Sequence, residues 1–449
     1  MTLSEELMRR DAAGTPVRVA VIGAGKFAAM YLAQARRTPG VHVVGVADLN
    51  LERARVNLAG IGWPEEAFAA PDAATALLTG ASWLTDDARA LFAAGGTEVV
   101  VDITGNPAAA IDHALACLAH GRHLVNVTVE ADVLVGPLLA RRFREADLVY
   151  SQAYGDQPAL IAEMVDWART AGFEVVAAGK GTKYLPAYHH ATPDEVWGHY
   201  GITPEDAARG GMNPQMFNSF LDGTKSAIEM AAVANASGLK APENGLAFPP
   251  ADVDDLPQIL KPRADGGVLD GRGMVEVVSC LNRDGTAIAR DLRWGVYVVF
   301  AGADDYVRRC FQEYGLKTDD SGEYTAMYKP YHLIGLELGI SVAKAAISRE
   351  ATGVSRRFAG DVAAVAKKDL SQGDVLDGEG GYTVYGKLAP AARSLAEGYL
   401  PIGLAHKVVL RNAVGRDRPL TWDDVAIDET VEAVRLRREM EDMARAGSI

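Results

Sequence analysis

Asn218, Asp222, Lys225 and Glu229 recur at intervals of three or four residues, with Asn235 beyond them. From about Met216 the stretch has helical periodicity, interrupted at Gly223, and this spacing puts the polar side chains on one helical face. Their neighbours Ala227, Ile228, Met230, Ala231, Ala232 and Val233 are small or apolar, so the helix is expected to be largely buried. Buried Asp, Lys and Glu must be paired or working, because taking a charge out of water is expensive. A lysine between carboxylates in a cleft can give a proton to a carbonyl oxygen that receives hydride. Lys225 and Asp222 are therefore candidate catalytic residues, with Asn218 and Glu229 beside the substrate. The competing reading is a structural ion-pair network.

Upstream, Lys180 and Lys183 lie three apart in a glycine-bearing segment at the end of an apolar run, a placement suited to a carboxylate or a phosphate. Lys183 is counted with the catalytic group and Lys180 with substrate binding. Lys329 is a further candidate anion ligand, against the reading of a surface lysine. His189 and His190 are adjacent, so they point apart and make a poor metal pair.

Hydride chemistry needs a carrier, and the chain offers a place for one. The apolar run from Val17 to Ile22 reads as a buried parallel strand. Gly23, Gly25 and Ala28 follow as G-x-G-x-x-A, with Lys26 and Phe27 between them, and then a helical pattern. Gly23 suits a tight turn, Gly25 leaves room for a pyrophosphate, and Ala28 allows close helix–strand packing. A second strand ends in Asp48, 20 residues after Ala28, where an acid bonds the ribose hydroxyls of NAD. Thr104, Gly105 and Asn106 end a later strand and are expected near the nicotinamide ribose. Pro107 suits the first position of the next helix. Glu130 stands at another strand end, either facing the nicotinamide or capping the helix that follows.

These groups need an α/β scaffold. Strands and helices alternate from about 15 to 150, as in a doubly wound, Rossmann-type sheet. From 151 to 352 the pattern suggests an α+β substrate domain with an oligomer contact. It includes two apolar strands flanking the turn signal at Asn282–Gly285, and a helix from Leu333 to Arg349. From 353 to 449 short strands and glycine-rich turns suggest a small β-rich domain closed by a charged helix. The 449 residues carry a net charge of -14, which argues against nucleic acid and against an anionic membrane surface. The three cysteines, Cys117, Cys280 and Cys310, have no metal spacing and fit a reducing compartment. The first ten residues have no apolar core, and no apolar run is long enough to span a bilayer. A cytoplasmic homo-oligomer is expected.

The segments Gly23–Ala28 and Val101–Pro107 resemble the nucleotide domain of homoserine dehydrogenases, and Asp222 with Lys225 resembles that family's acid and lysine at the substrate. The tail, through Lys367–Leu376, Leu400–Leu404 and Thr421–Val425, looks like a SAF domain. The whole order is similar to the homoserine-dehydrogenase-like oxidoreductases that include the 1-deoxy-D-xylulose 5-phosphate reductoisomerase-like enzymes. The resemblance implies NADPH-dependent rearrangement of a ketose phosphate, assisted by magnesium or manganese. Lys180, Lys183, Lys225 and Lys329 would then share the substrate phosphate and the developing alkoxide. Asp222 and Glu229 would be candidate metal or proton-transfer carboxylates. Asp48 points instead to NAD, since it repels a 2′-phosphate unless Arg53 or Arg55 offsets it. Two alternatives stand beside this: a homoserine-type dehydrogenase without rearrangement, and a sensor that binds NAD(H) without turnover.

Overall fold

The computed structural model describes residues 2–449. They cluster into two compact units, one running to Leu160 and joined by Leu333–Arg356, the other formed by Ile161–His332 and Arg357–Ile449. The sequence pattern suggested breaks near 150 and 352 and three domains. The contacts instead unite the middle and terminal stretches and return 333–356 to the first unit.

The first unit is built on six parallel strands: β1 (Val17–Ile22), β2 (Val41–Ala47), β3 (Trp83–Thr85), β4 (Val99–Asp102), β5 (His123–Asn126) and β6 (Tyr150–Gln152), in the order β3-β2-β1-β4-β5-β6. The order reverses between β1 and β4, and ligand crevices open there at the carboxyl ends of the strands. Helices α1 (Leu3–Ala12), α2 (Lys26–Ala35), α3 (Leu51–Gly60), α4 (Ala73–Thr79), α5 (Ala88–Ala93), α6 (Pro107–His120) and α7 (Val129–Glu145) complete the alternation. Strands covered on both faces must be apolar throughout, and β1 and β4 are: Val19, Val21, Val99 and Val101 are fully buried. The returning segment supplies Leu338, Val342, Ala343 and Ala345 to the same core. The helix expected over Leu333–Arg349 is reduced to Gly339–Ala343 and one π turn, Lys344–Ser348.

In the second unit the strands β7 (Glu174–Thr182), β8 (Met274–Ser279), β9 (Val296–Ala301) and β10 (Tyr324–Lys329) make a mixed sheet in the order β10-β9-β7-β8. The turn at Asn282–Gly285 forms, with the Gly285 N–H on the Asn282 carbonyl at 2.9 Å. The strands flanking it do not pair, because β7 lies between them, parallel to β8 and antiparallel to β9. Neighbouring backbones come so close that a Cβ at Gly179 would lie 1.7 Å from the Glu276 carbonyl oxygen. Lys180, Val296 and Lys329 stand in one row across β7, β9 and β10, so their side chains share a face of the sheet. Helices α8 (Gln157–Thr170), α9 (Pro214–Leu221), α10 (Thr224–Ser237) and α11 (Glu432–Arg445) are the longer helices used below. The irregular stretch expected over 187–215 contains short helical turns, among them Pro186–His190 and Val196–Tyr200.

The terminal stretch holds β11 (Gly360–Ala366), β12 (Val375–Asp377), β13 (Val384–Pro390), β14 (His406–Leu410) and β15 (Val425–Ala426), with β11 on β13 and β14 between β12 and β15. The strand expected at Leu400–Leu404 is a 3-10 turn over Ile402–Leu404. Arg437, midway along α11, is fully buried, and its guanidinium reaches Asp361 at 2.5 and 3.1 Å and Glu441 at 2.9 Å. Cys117 and Cys280 are buried and Cys310 is half-buried, all as thiols. Among the described residues no helix is long and apolar enough to cross a membrane.

Glu276 gives the second unit a pH dependence. Its buried carboxylate accepts N–H groups of Ala247, Phe248 and Val277, at 3.1, 3.3 and 2.8 Å. Burial pushes its pKa up to about 7 against the pull of those N–H groups. A raised carboxyl pKa means stability present in full below the ordinary value of 4.5 and lost as the pH climbs through 7. Glu276→Gln keeps an acceptor and removes the charge. Its stability relative to the natural protein should rise by roughly 3 kcal/mol between pH 5 and 8.5, measured by denaturant unfolding of both proteins. A constant difference would place the titration elsewhere.

Candidate active site

The first unit presents a phosphate cradle. Helices α1, α3, α4, α5 and α6 are each capped by a side chain, from Thr2, Asn50, Asp72, Asp87 and Asn106. Helix α2 is opened by Gly25, which offers its first turn no side-chain acceptor. The N–H groups of Lys26, Phe27 and Ala28 therefore lack an intrahelical partner, and the positive end of the helix dipole is uncovered. A Cβ at Gly25 would meet no atom within 4 Å, so nothing in the protein packs where a pyrophosphate would lie. Gly23 is different: its φ is +103°, and a Cβ there would approach the Ile103 carbonyl at 2.8 Å. Lys26 is exposed, Phe27 half-buried and Ala28 buried. These features fit a dinucleotide.

Asp48 follows β2 and is almost fully buried. Its Oδ2 accepts the Ala24 N–H at 2.8 Å, its Oδ1 the Asn50 N–H at 2.8 Å, and Arg53 Nη2 spans both oxygens at 2.9 and 3.2 Å. Asn57 of α3 donates to the Ala24 carbonyl at 2.7 Å, so both polar groups of Ala24 are held, the N–H by Asp48 and the carbonyl by α3. Arg53 keeps over half its side chain exposed beside the acid. The loop after β2 thus carries an Asp–Arg pair, and of the two arginines offered by the sequence to offset the acid it is Arg53 that pairs with it.

Thr104, Gly105 and Asn106 are held from beneath. Asp102 is fully buried and accepts from Thr104 Oγ1 at 2.9 Å, Thr128 Oγ1 at 2.8 Å and the His113 Nδ1–H at 2.6 Å. Thr128 in turn takes the Gly105 N–H at 3.1 Å, and the Asn106 side chain caps α6 through the Ala109 N–H. Glu130 lies in the first turn of α7. Asp102, Thr128 and His113 escaped the sequence reading, since neither their spacing nor their neighbours distinguish them from ordinary strand and helix positions.

In the second unit the polar stripe resolves into two separate groups. Gly223 adopts φ +87° and divides the expected single helix into α9 and α10, changing the phase between them. Asn218, on α9, donates to the carbonyls of Ala191 and Gly380, each at 2.9 Å. Asp222 is fully buried, and its Oδ1 accepts the Thr224 N–H at 2.9 Å. Its Oδ2 lies 2.8 Å from Lys367 Nζ, an ion-pair contact outside hydrogen-bond alignment. Lys367 also donates to the carbonyls of Ala191 and Gly381. Asp222 is expected beside Lys225 as an acid; here it is committed to Lys367, a residue the sequence pattern did not single out.

The other group forms on α10. Glu229 pairs with Lys180 of β7, both buried. Lys225 is half-buried one turn before Glu229 on the same face. Asn235 accepts the N–H groups of Ala359 and Gly360 at 2.8 and 2.9 Å, which fastens the start of β11. Lys329 ends β10 and pairs with Glu163 at 2.7 Å. Lys183 follows the end of β7 and donates to the His199 carbonyl, so the two lysines three apart do not converge on one anion. His189 donates Nδ1–H to the Asp222 carbonyl at 2.7 Å and accepts from the Tyr184 hydroxyl at 2.9 Å. His190 bridges Asp417 and Arg416.

Among the described residues no group of three or more His, Cys, Asp or Glu side chains is placed to hold a metal ion. Asp222 and Glu229, the carboxylates that the family resemblance offers to a metal, are each bound to a lysine. The donor set does not fit a divalent cation.

Comparison with solved structures finds distant likenesses. An NAD binding oxidoreductase from Klebsiella pneumoniae aligns with 38% of this chain at 17% identity and a TM-score of 0.28, and the alignment covers 44% of that protein, less than half its length. A probable dehydrogenase from Thermotoga maritima aligns over 76% of this chain and 91% of its own, at 12% identity and a TM-score of 0.38. A dihydrodipicolinate reductase from Paenisporosarcina sp. TG-14 covers 75% and 97%, at 13% and 0.35. At such identities and scores nothing about chemistry passes from them to this chain. No curated protein matches it. Residues 155–338, which carry Lys180, Lys183, Lys225, Glu229 and Lys329, match the profile of the family described as Oxidoreductase DRL, catalytic domain.

Proposed function

We propose that the protein is an NAD(P)-dependent oxidoreductase that interconverts a carbonyl and a hydroxyl group on a small anionic compound. The observation that carries this is the glycine-opened first turn of α2, with empty space at Gly25 and an Asp–Arg pair at the ribose end. The bound nucleotide would supply the hydride. The backbone N–H groups of Lys26, Phe27 and Ala28 hold its pyrophosphate, and the loop at Thr104–Asn106, fixed by Asp102, borders the nicotinamide side. Lys225 donates a proton to the substrate's carbonyl oxygen as hydride arrives. Glu229, neutralised by Lys180, holds that region of α10 against β7.

Gly25→Val is expected to weaken NADH and NADPH binding by about a hundredfold, roughly 2.8 kcal/mol, with the unfolding temperature measured beside it to separate any packing effect, the added Cβ itself meeting no protein atom within 4 Å. Nucleotide fluorescence titration reads it, and unchanged affinity would remove the cradle from the reading. The finer form of the proposal, a reductoisomerase, is tested by oxidation of NADH or NADPH with 1-deoxy-D-xylulose 5-phosphate, with and without magnesium or manganese. Metal-dependent turnover to a branched polyol phosphate would establish it. Oxidation that yields the unbranched alcohol favours the simple dehydrogenase, which fits the missing carboxylate cluster better.

A further inference from the structure

Tyr200 is half-buried against a small apolar cluster that includes Tyr188, Val196, Trp197, Phe217 and Leu221. Two cations face its ring. Lys183 Nζ lies 5.4 Å from the ring centroid and the Arg293 guanidinium carbon 5.7 Å, with Arg293 also 4.9 Å from the ring of Trp294.

Neither cation has a carboxylate within ion-pair distance among the described residues. Among the described residues the Lys183 amine bonds the His199 carbonyl alone, and the Arg293 guanidinium makes no hydrogen bond. The nearest acid in sequence, Asp291, spends Oδ1 on Arg293's own backbone N–H at 2.7 Å. Both are half-buried. The chain's buried cations, by contrast, are matched: Lys180 with Glu229, Lys261 with Asp319, Lys367 with Asp222 and Arg437 with Asp361. Burial, and then the nearby Arg293, hold Lys183 below the usual lysine range. Like charges gathered on an apolar floor repel in a weakened dielectric, and an arriving anion relieves that repulsion. Stacking on Trp294 orients the guanidinium fork and leaves its donors unspent.

We propose that Lys183 and Arg293 form a clamp over Tyr200 for the oxyanion end of the substrate, a phosphate or a carboxylate. The inference rests on the oxidoreductase reading for its role in turnover, but anion binding is measurable without it. Calorimetric titration of the nucleotide-free protein with inorganic phosphate, and separately with acetate, separates the two sources of oxyanion. Heat from phosphate alone identifies a phosphate clamp, and heat from acetate identifies a carboxylate clamp. Lys183→Met and Arg293→Met should each weaken that binding at least tenfold, and Arg293→Lys should fall between, having charge without the fork. Unfolding temperatures of the variants confirm that they are folded. NADPH fluorescence, read in parallel, should not change. No heat from either anion, or isotherms unaltered in the variants, would overturn the clamp. Failure of the natural protein to bind either NADH or NADPH would overturn the oxidoreductase reading alone.

Discussion

Replacing Lys225 with methionine is expected to lower kcat by roughly a thousandfold while NAD(P)H affinity stays within about twofold. The side chain is half-buried on α10, so methionine keeps the packing of its stem and removes the ammonium group. Hydride transfer to a carbonyl without that proton leaves an alkoxide in a partly dry site, which is why the effect falls on the chemical step. The measurement is steady-state oxidation of NADH or NADPH with the anionic carbonyl substrate, set beside nucleotide fluorescence. Activity within a few-fold of the natural protein would return Lys225 to a structural network. Glu229→Gln is a useful contrast: it strands Lys180 as a buried charge, so it acts on stability first.

Arg437→Met is expected to destabilise the second unit by about 3–5 kcal/mol. The guanidinium is fully buried between Asp361, itself bonded by the Ser394 hydroxyl at 2.5 Å, and Glu441. Removing the arginine leaves two carboxylates out of water with one counter-charge gone. Burial favours a neutral guanidine, yet the two acids raise its pKa above the usual arginine value, so the guanidinium stays charged at any working pH. Denaturant unfolding, followed by a probe in the second unit, measures the loss. Replacing all three charges with apolar side chains should recover most of it, because the desolvation penalty disappears together with the attraction. If the single variant unfolds at the same denaturant concentration as the natural protein, the triad contributes nothing net.

The first unit was legible where local pattern decides structure. A continuous apolar strand, G-x-G-x-x-A and an acid at the next strand end describe β1, α2 and β2 almost residue by residue. The second unit was legible in its elements and less so in their pairing. The Asn282–Gly285 turn is a local signal and forms, but β7 enters between β8 and β9 from a hundred residues upstream, which no window around the turn reveals. The polar stripe was read across Gly223 as one face; a single left-handed glycine turned Asn218 and Asp222 toward Lys367 and left Glu229 on Lys180. Arg437 did carry a signal, standing on the apolar stripe of α11 with Val434 and Met440. Arg293 carried none, for Lys183 and Tyr200, which it joins in space, lie about a hundred residues upstream.

The return of 333–356 to the first unit has a consequence for synthesis. Leu338, Val342, Ala343 and Ala345 complete a core whose other members all precede Leu160. A ribosome making roughly 5–20 residues per second therefore leaves that apolar surface open for about ten to forty seconds. During this interval the nascent sheet has its nucleotide loop but not its full core. Holdase chaperones, or the nucleotide itself, would find there a longer-lived target than in a contiguous domain of the same size.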